Sequence, residues 1–119
     1  MRSDLDQLRS KIVEFAAQRN WQQFHTLKDL AISVALEAGE LLELVQWRNE
    51  DETAGSLNDE AIRAKFSGEC ADVLFYLLLL CNRLDIDLVA ACELKLSELS
   101  RRYPSEKYMC VAPHKYGGT

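Results

Sequence analysis

An all-α fold, a single bundle of four helices, is what this sequence predicts, and three observations carry the prediction. The only two prolines, Pro104 and Pro113, fall in the last sixteen residues, so nothing earlier in the chain forbids helix. Apolar side chains near the amino terminus return at the helical interval. Two later segments, LAISVALEAGELLELVQW from Leu30 to Trp47 and GECADVLFYLLLL from Gly68 to Leu80, are apolar on almost every side, as buried helices are. At 119 residues, with no repeats and no low-complexity tract, the chain reads as one domain, 1–119.

Leu5, Leu8, Ile12, Val13, Phe15 and Ala16 set the first helix at 4–19. NWQQFHTLKD, 20–29, breaks that pattern and offers Thr26 or Asp29 as the cap of the next helix. The second helix spans about 29–49. Gly39 in its middle costs roughly 1 kcal/mol relative to alanine, which suggests close approach of something to the backbone. NEDETAGSLNDE, 49–60, is acidic and turn-rich and reads as a solvated loop. The third helix spans about 59–84, and Asp85 opens a fourth that reaches Arg102. The tail PSEKYMCVAPHKYGGT reads as extended and partly ordered, its Tyr, Met and Val packing on a neighbour. Helices two and three need burial on all sides, which one small bundle struggles to supply, so the chain is expected to form a homo-oligomer.

The net charge of -5 argues against a nucleic-acid partner, which needs a basic footprint. Small phosphorylated ligands stay open, because a bound cation inverts the local sign. Cys70, Cys81, Cys92 and Cys110 fit no zinc spacing, and the first three read as small core residues. No signal peptide is evident, and VLFYLLLLC, 73–81, is too short to span a bilayer. The expectation is a cytoplasmic protein without a membrane partner.

Glu37 and Glu40 are three apart, so they share a helix face inside an apolar segment, and Glu69 and Asp72 repeat the spacing. If the two helices are antiparallel neighbours, the pairs face one another, and like charges so placed repel and need a cation between them. Four carboxylates suit Mg²⁺ or Mn²⁺. No histidine or cysteine stands three residues on from either pair, which argues against zinc and against a di-iron bundle. Such a cation would bind a polyphosphate and orient an attacking water, with a spare carboxylate taking the proton. One Glu-x-x-Glu alone is ordinarily a solvated face, and the two pairs in the two most apolar helices carry the argument. Glu43 is either an outer residue of the site or its solvated edge.

RNWQQFHTLKDLA, ALEAGELLELVQW, GECADVLFYLLLLCNRLDIDL and the closing KLSELSRRYP resemble the all-α nucleoside triphosphate pyrophosphohydrolases, the MazG-like group. The signature there is Glu-x-x-Glu followed by Glu-x-x-Asp, matched by Glu37, Glu40, Glu69 and Asp72. WQQFH and ELLELVQW are most similar to the dCTP pyrophosphatase branch. The resemblance implies Mg²⁺-dependent hydrolysis of a (deoxy)nucleoside triphosphate, dCTP or a related dNTP, to the monophosphate and pyrophosphate with water as nucleophile. Nucleotide-pool clean-up by a dimer, or a dimer of dimers with sites formed partly across subunits, goes with it. It also implies base-pocket roles for Trp21, His25, Trp47 and Tyr76, and phosphate or sugar contacts for Lys28, Lys95, Arg102 and Tyr103.

Against that pattern, Leu27 replaces a common proline, and Asp29 and Leu99 replace common asparagines. Leucine makes no hydrogen bond, so recognition is altered at Leu99 or passes to Ser100 or Arg101. The alternative is a non-catalytic helical nucleotide-binding or assembly protein. It must explain four retained carboxylates in apolar helices, where unused charge is expensive.

Overall fold

The structure is a computed structural model that describes residues 2–113; the end of the predicted tail, 114–119, lies outside the described residues. All regular structure among the described residues is helical. Two compact units divide the chain, residues 1–85 and 86–119.

The first unit begins with α1, Asp4–Gln18, whose Ser3 hydroxyl accepts from the Asp6 amide at 3.1 Å. Asn20, left-handed at φ 53°, turns the chain into a 3-10 helix, Trp21–Phe24. Thr26, not Asp29, caps α2 (Leu27–Glu43), its hydroxyl accepting from the Asp29 amide at 3.1 Å. The helix stops short of the predicted residue 49. Leu44 and Val45 donate to carbonyls three residues back, which tightens the last turn and ends it.

The predicted acidic loop is in fact a short helix, α3, Glu50–Ser56. Asn49 accepts from the Glu52 amide at 2.9 Å, and Glu50, Asp51 and Glu52 place negative charge in the first turn, where the helix dipole favours it. Asp59 then caps α4, Glu60–Arg83, accepting from Ala61 and Ile62. At 24 residues, α4 is about 36 Å long.

The packing of this unit is dominated by α2 against α4, with α1 laid on α4. Ala16, Leu30 and Leu79, one from each helix, form the centre, bordered by Ile12, Val13, Phe75, Tyr76 and Leu80. Burial is uneven. Leu30 is buried, yet Leu36 and Leu42 on the same helix are 62% and 57% exposed. Gly39 meets nothing within 4 Å of where a Cβ would stand, so nothing in this chain explains it as a close-approach glycine. Cys81 is buried as expected; Cys70 and Cys92 are exposed, against the expectation, and Cys110 is exposed too.

The second unit carries α5, Leu88–Arg102, and α6, Ser105–Tyr108. Asp85 does not open α5: it sits outside the helix at φ 54°, and Asp87 caps instead, accepting from Ala90 at 3.1 Å. Pro104 follows the end of α5, and the tail is helical over Ser105–Tyr108 rather than extended. Tyr103 and Tyr108 meet edge-on at 5.0 Å and line a cavity of about 400 Å³ with Met109, Val111 and Pro113. Among the described residues no helix is long and apolar enough to cross a membrane.

Candidate metal centre

Each predicted carboxylate pair sits on one face of its helix because three residues are close to one turn. The packing of α2 on α4 then brings the pairs together. Glu37, Glu40, Glu69 and Asp72 each offer a carboxylate oxygen, and the four lie within 4.8 Å of one another. Glu40 and Asp72 are exposed while Glu37 and Glu69 are half-buried, so the group forms a cup with one open side.

The interior of the cup is starved of positive charge. One oxygen each of Glu37 and Glu69, Oε2 in both, is buried without a hydrogen-bond partner. The Glu37 carboxyl is pushed up to about 7. The chief cause is a hydrogen bond with the Glu40 carboxylate, followed by burial and by repulsion from Glu40, Asp72 and Glu69. Glu69 is raised as well, first by burial, then by Glu40, Asp72 and Glu43. Glu40 therefore bears on both partly buried members. Glu43 belongs to the electrostatic field of the group, which its spacing alone left undecided.

Four hard oxygen donors at this spacing, two with an orphaned oxygen, fit a divalent cation of the Mg²⁺ or Mn²⁺ type. A bound cation would satisfy those oxygens and remove the mutual repulsion that raises the carboxyls.

The remaining predicted residues are spread more widely. Tyr76 stands one turn beyond Asp72 on α4, half-buried and edge-on to Phe75 at 5.2 Å. Trp47 lies past the end of α2 and is 87% exposed. Trp21 packs edge-on to Phe15 at 5.5 Å, as an anchor of the 3-10 helix would. His25 and Lys28 stand at the opposite end of the α2–α4 pair. The step from Leu27 to Glu37 alone is about 15 Å along the helix. His25 instead borders a cavity of about 30 Å³ with Gln22, Asn82 and Arg83.

Lys95, Arg102 and Tyr103 belong to the second unit. Lys95 pairs with Glu98 at 3.1 Å, and the Arg102 guanidinium lies 6.0 Å from the Tyr103 ring centre.

The chain is similar in sequence and in fold to known proteins. The sequence profile of the MazG-like family matches residues 32–112, which include all four carboxylates. The chain is 38% identical over 100 residues to dCTP pyrophosphatase 1 of Bos taurus and 39% identical over 101 residues to that of Homo sapiens. Those alignments cover 84% and 85% of this chain, which spans 59% of the length of either relative. The fold matches the crystal structure of a pyrophosphatase from Archaeoglobus fulgidus with a TM-score of 0.79 and 37% identity, covering 87% of this chain and 95% of that one.

Proposed function

This chain belongs to the MazG-like family, and from that premise we propose that it is a Mg²⁺-dependent nucleoside triphosphate pyrophosphohydrolase. Its substrate would be dCTP or a related dNTP, its products the monophosphate and pyrophosphate, and its role the clearance of surplus or non-standard nucleotides. Mn²⁺ is the alternative cation. The observation that carries the reading is the convergence of Glu37, Glu40, Glu69 and Asp72 within 4.8 Å.

In this reading the four carboxylates hold the cation. When bound, Mg²⁺ would supply positive charge to the triphosphate and ease loss of a proton from water. Half-burial of Glu37 and Glu69 keeps their side of the cup poor in water, which strengthens every charge interaction there. Water adds to the α-phosphorus, the bond from that phosphorus to the bridging oxygen breaks, and pyrophosphate leaves with the electron pair. A carboxylate of the cup accepts the proton of the water. Trp47 and Tyr76 offer aromatic faces for the base, while Lys95, Arg102 and Tyr103 are the phosphate and sugar contacts suggested by resemblance.

The exposed Leu36, Leu42 and Trp47 favour a homodimer or a dimer of dimers. In that assembly His25, Lys28 and Trp21 reach a nucleotide held by the carboxylates of another copy. The proposed setting is cytoplasmic, with neither nucleic acid nor membrane as partner.

Leu99 and Asp29, which depart from the asparagines that the family resemblance implies, favour a second reading, a helical nucleotide-binding or assembly protein without catalysis. A panel of dNTPs with Mg²⁺, read by pyrophosphate release, separates the two. Turnover that disappears in Glu40→Gln supports the enzyme, and no turnover of any nucleotide supports the second reading.

A further inference from the structure

Along α4 the carboxylates are flanked by two residues of opposite chemistry. Lys65, Glu69, Asp72 and Tyr76 occupy positions i, i+4, i+7 and i+11, which an α-helix places on one stripe, about a turn apart. The order along the stripe is ammonium, carboxylate, carboxylate, aromatic ring. Tyr76 is half-buried against the core at one end. Lys65 is exposed at the other and, among the described residues, has no ion pair or hydrogen bond. A lysine four residues before a glutamate is the weaker orientation for a helical ion pair, so the spacing itself does not commit Lys65 to Glu69.

A nucleoside triphosphate has the same linear order of needs. Its terminal phosphates want a cation, its α-phosphate wants a metal centre, and its base wants an aromatic face. From Lys65 to Tyr76 the helix rises about 16 Å. We propose that Lys65 binds the departing pyrophosphate, and that the nucleotide lies along α4 with its β- and γ-phosphates at Lys65 and its base towards Tyr76. The inference rests on the reading of the four carboxylates given above, and it adds a direction and a residue to it. As the bond between the α-phosphorus and the bridging oxygen breaks, negative charge grows on the pyrophosphate. The Lys65 ammonium stands where that charge develops. It is a compact, flexible point charge, able to follow the leaving group outward.

The test is equilibrium binding of the two products to the full chain in Mg²⁺, by titration calorimetry with pyrophosphate and, separately, dCMP. Lys65→Ala should weaken pyrophosphate binding about tenfold and leave dCMP binding unchanged. Lys65→Arg should retain most of the affinity, and Lys11→Ala on α1 should behave as the unaltered protein. Unchanged pyrophosphate affinity in Lys65→Ala, or equal weakening for both products, overturns the role of Lys65 and leaves the metal centre standing. An unaltered protein that binds neither product and hydrolyses no nucleotide overturns the metal centre and Lys65 together.

Discussion

Glu37 and Glu69 stand on different helices, yet each keeps one carboxylate oxygen buried and without a hydrogen-bond partner. Two such oxygens in one cup are unfavourable unless something positive fills it, because a buried acceptor left unsatisfied forfeits the hydrogen bonds it would make to water. That imbalance is the physical argument for the cup as a candidate cation site.

Removing one charge tests it. Glu40 is the neighbour that raises both Glu37 and Glu69. Glu40→Gln should lower turnover about a hundredfold or more, beyond what loss of a supporting group commonly costs. Mg²⁺ should raise the melting temperature of the unaltered protein, and the same variant should lose that rise.

The pH dependence of the metal-free protein follows from Glu37, raised from 4.5 to about 7. Below 4.5 the folded and unfolded chains both hold the proton. Between there and about 7 the unfolded chain has released it while the folded chain keeps it, so stability is lost as pH rises through this window. Thermal melts in chelator from pH 5 to 8 should fall accordingly, and the gain from added Mg²⁺ should grow over the same range.

Leu79 and Leu30 meet at the centre of the first unit, 5% and 1% exposed. Replacing either by alanine should cost about 2–5 kcal/mol in urea unfolding, through lost burial and the cavity left behind. By contrast Trp47→Ala, at a residue 87% exposed in the single chain, should change the stability of the separated chain little. Its effect should appear as a rise of about tenfold in KM for the nucleotide, in line with loss of one base stack.

Self-association is checked most simply at Leu36 and Leu42. Sedimentation should find an oligomer for the unaltered protein, and Leu36→Asp with Leu42→Asp should shift it towards the monomer.

The sequence revealed the elements whose signals are local and periodic. The cup was legible because Glu37/Glu40 and Glu69/Asp72 repeat one spacing in the two most apolar helices, and antiparallel packing needs nothing else to bring them together. α3 was missed because its acidic composition reads as solvated loop. Its true signals, Asn49 as cap and acidic residues in the first turn, were present but outweighed. Asp85 and Asp87 are equally plausible caps on paper, and only the left-handed turn at Asp85 decides between them. The exposure of Cys70 and Cys92 and the open side of Gly39 depend on what lies across the helix, which one-dimensional spacing does not carry. The same is true of His25 and Lys28: one just before α2 and the other in its first turn, they lie at the far end of that helix from the carboxylates.

Product analysis with one nucleotide tests the central claim most directly. The protein is incubated with dCTP and Mg²⁺, and phosphorus NMR follows what appears. The account predicts dCMP and pyrophosphate in equal amounts, abolished by chelation of the metal. Orthophosphate with dCDP, or hydrolysis that persists in chelator, would contradict it.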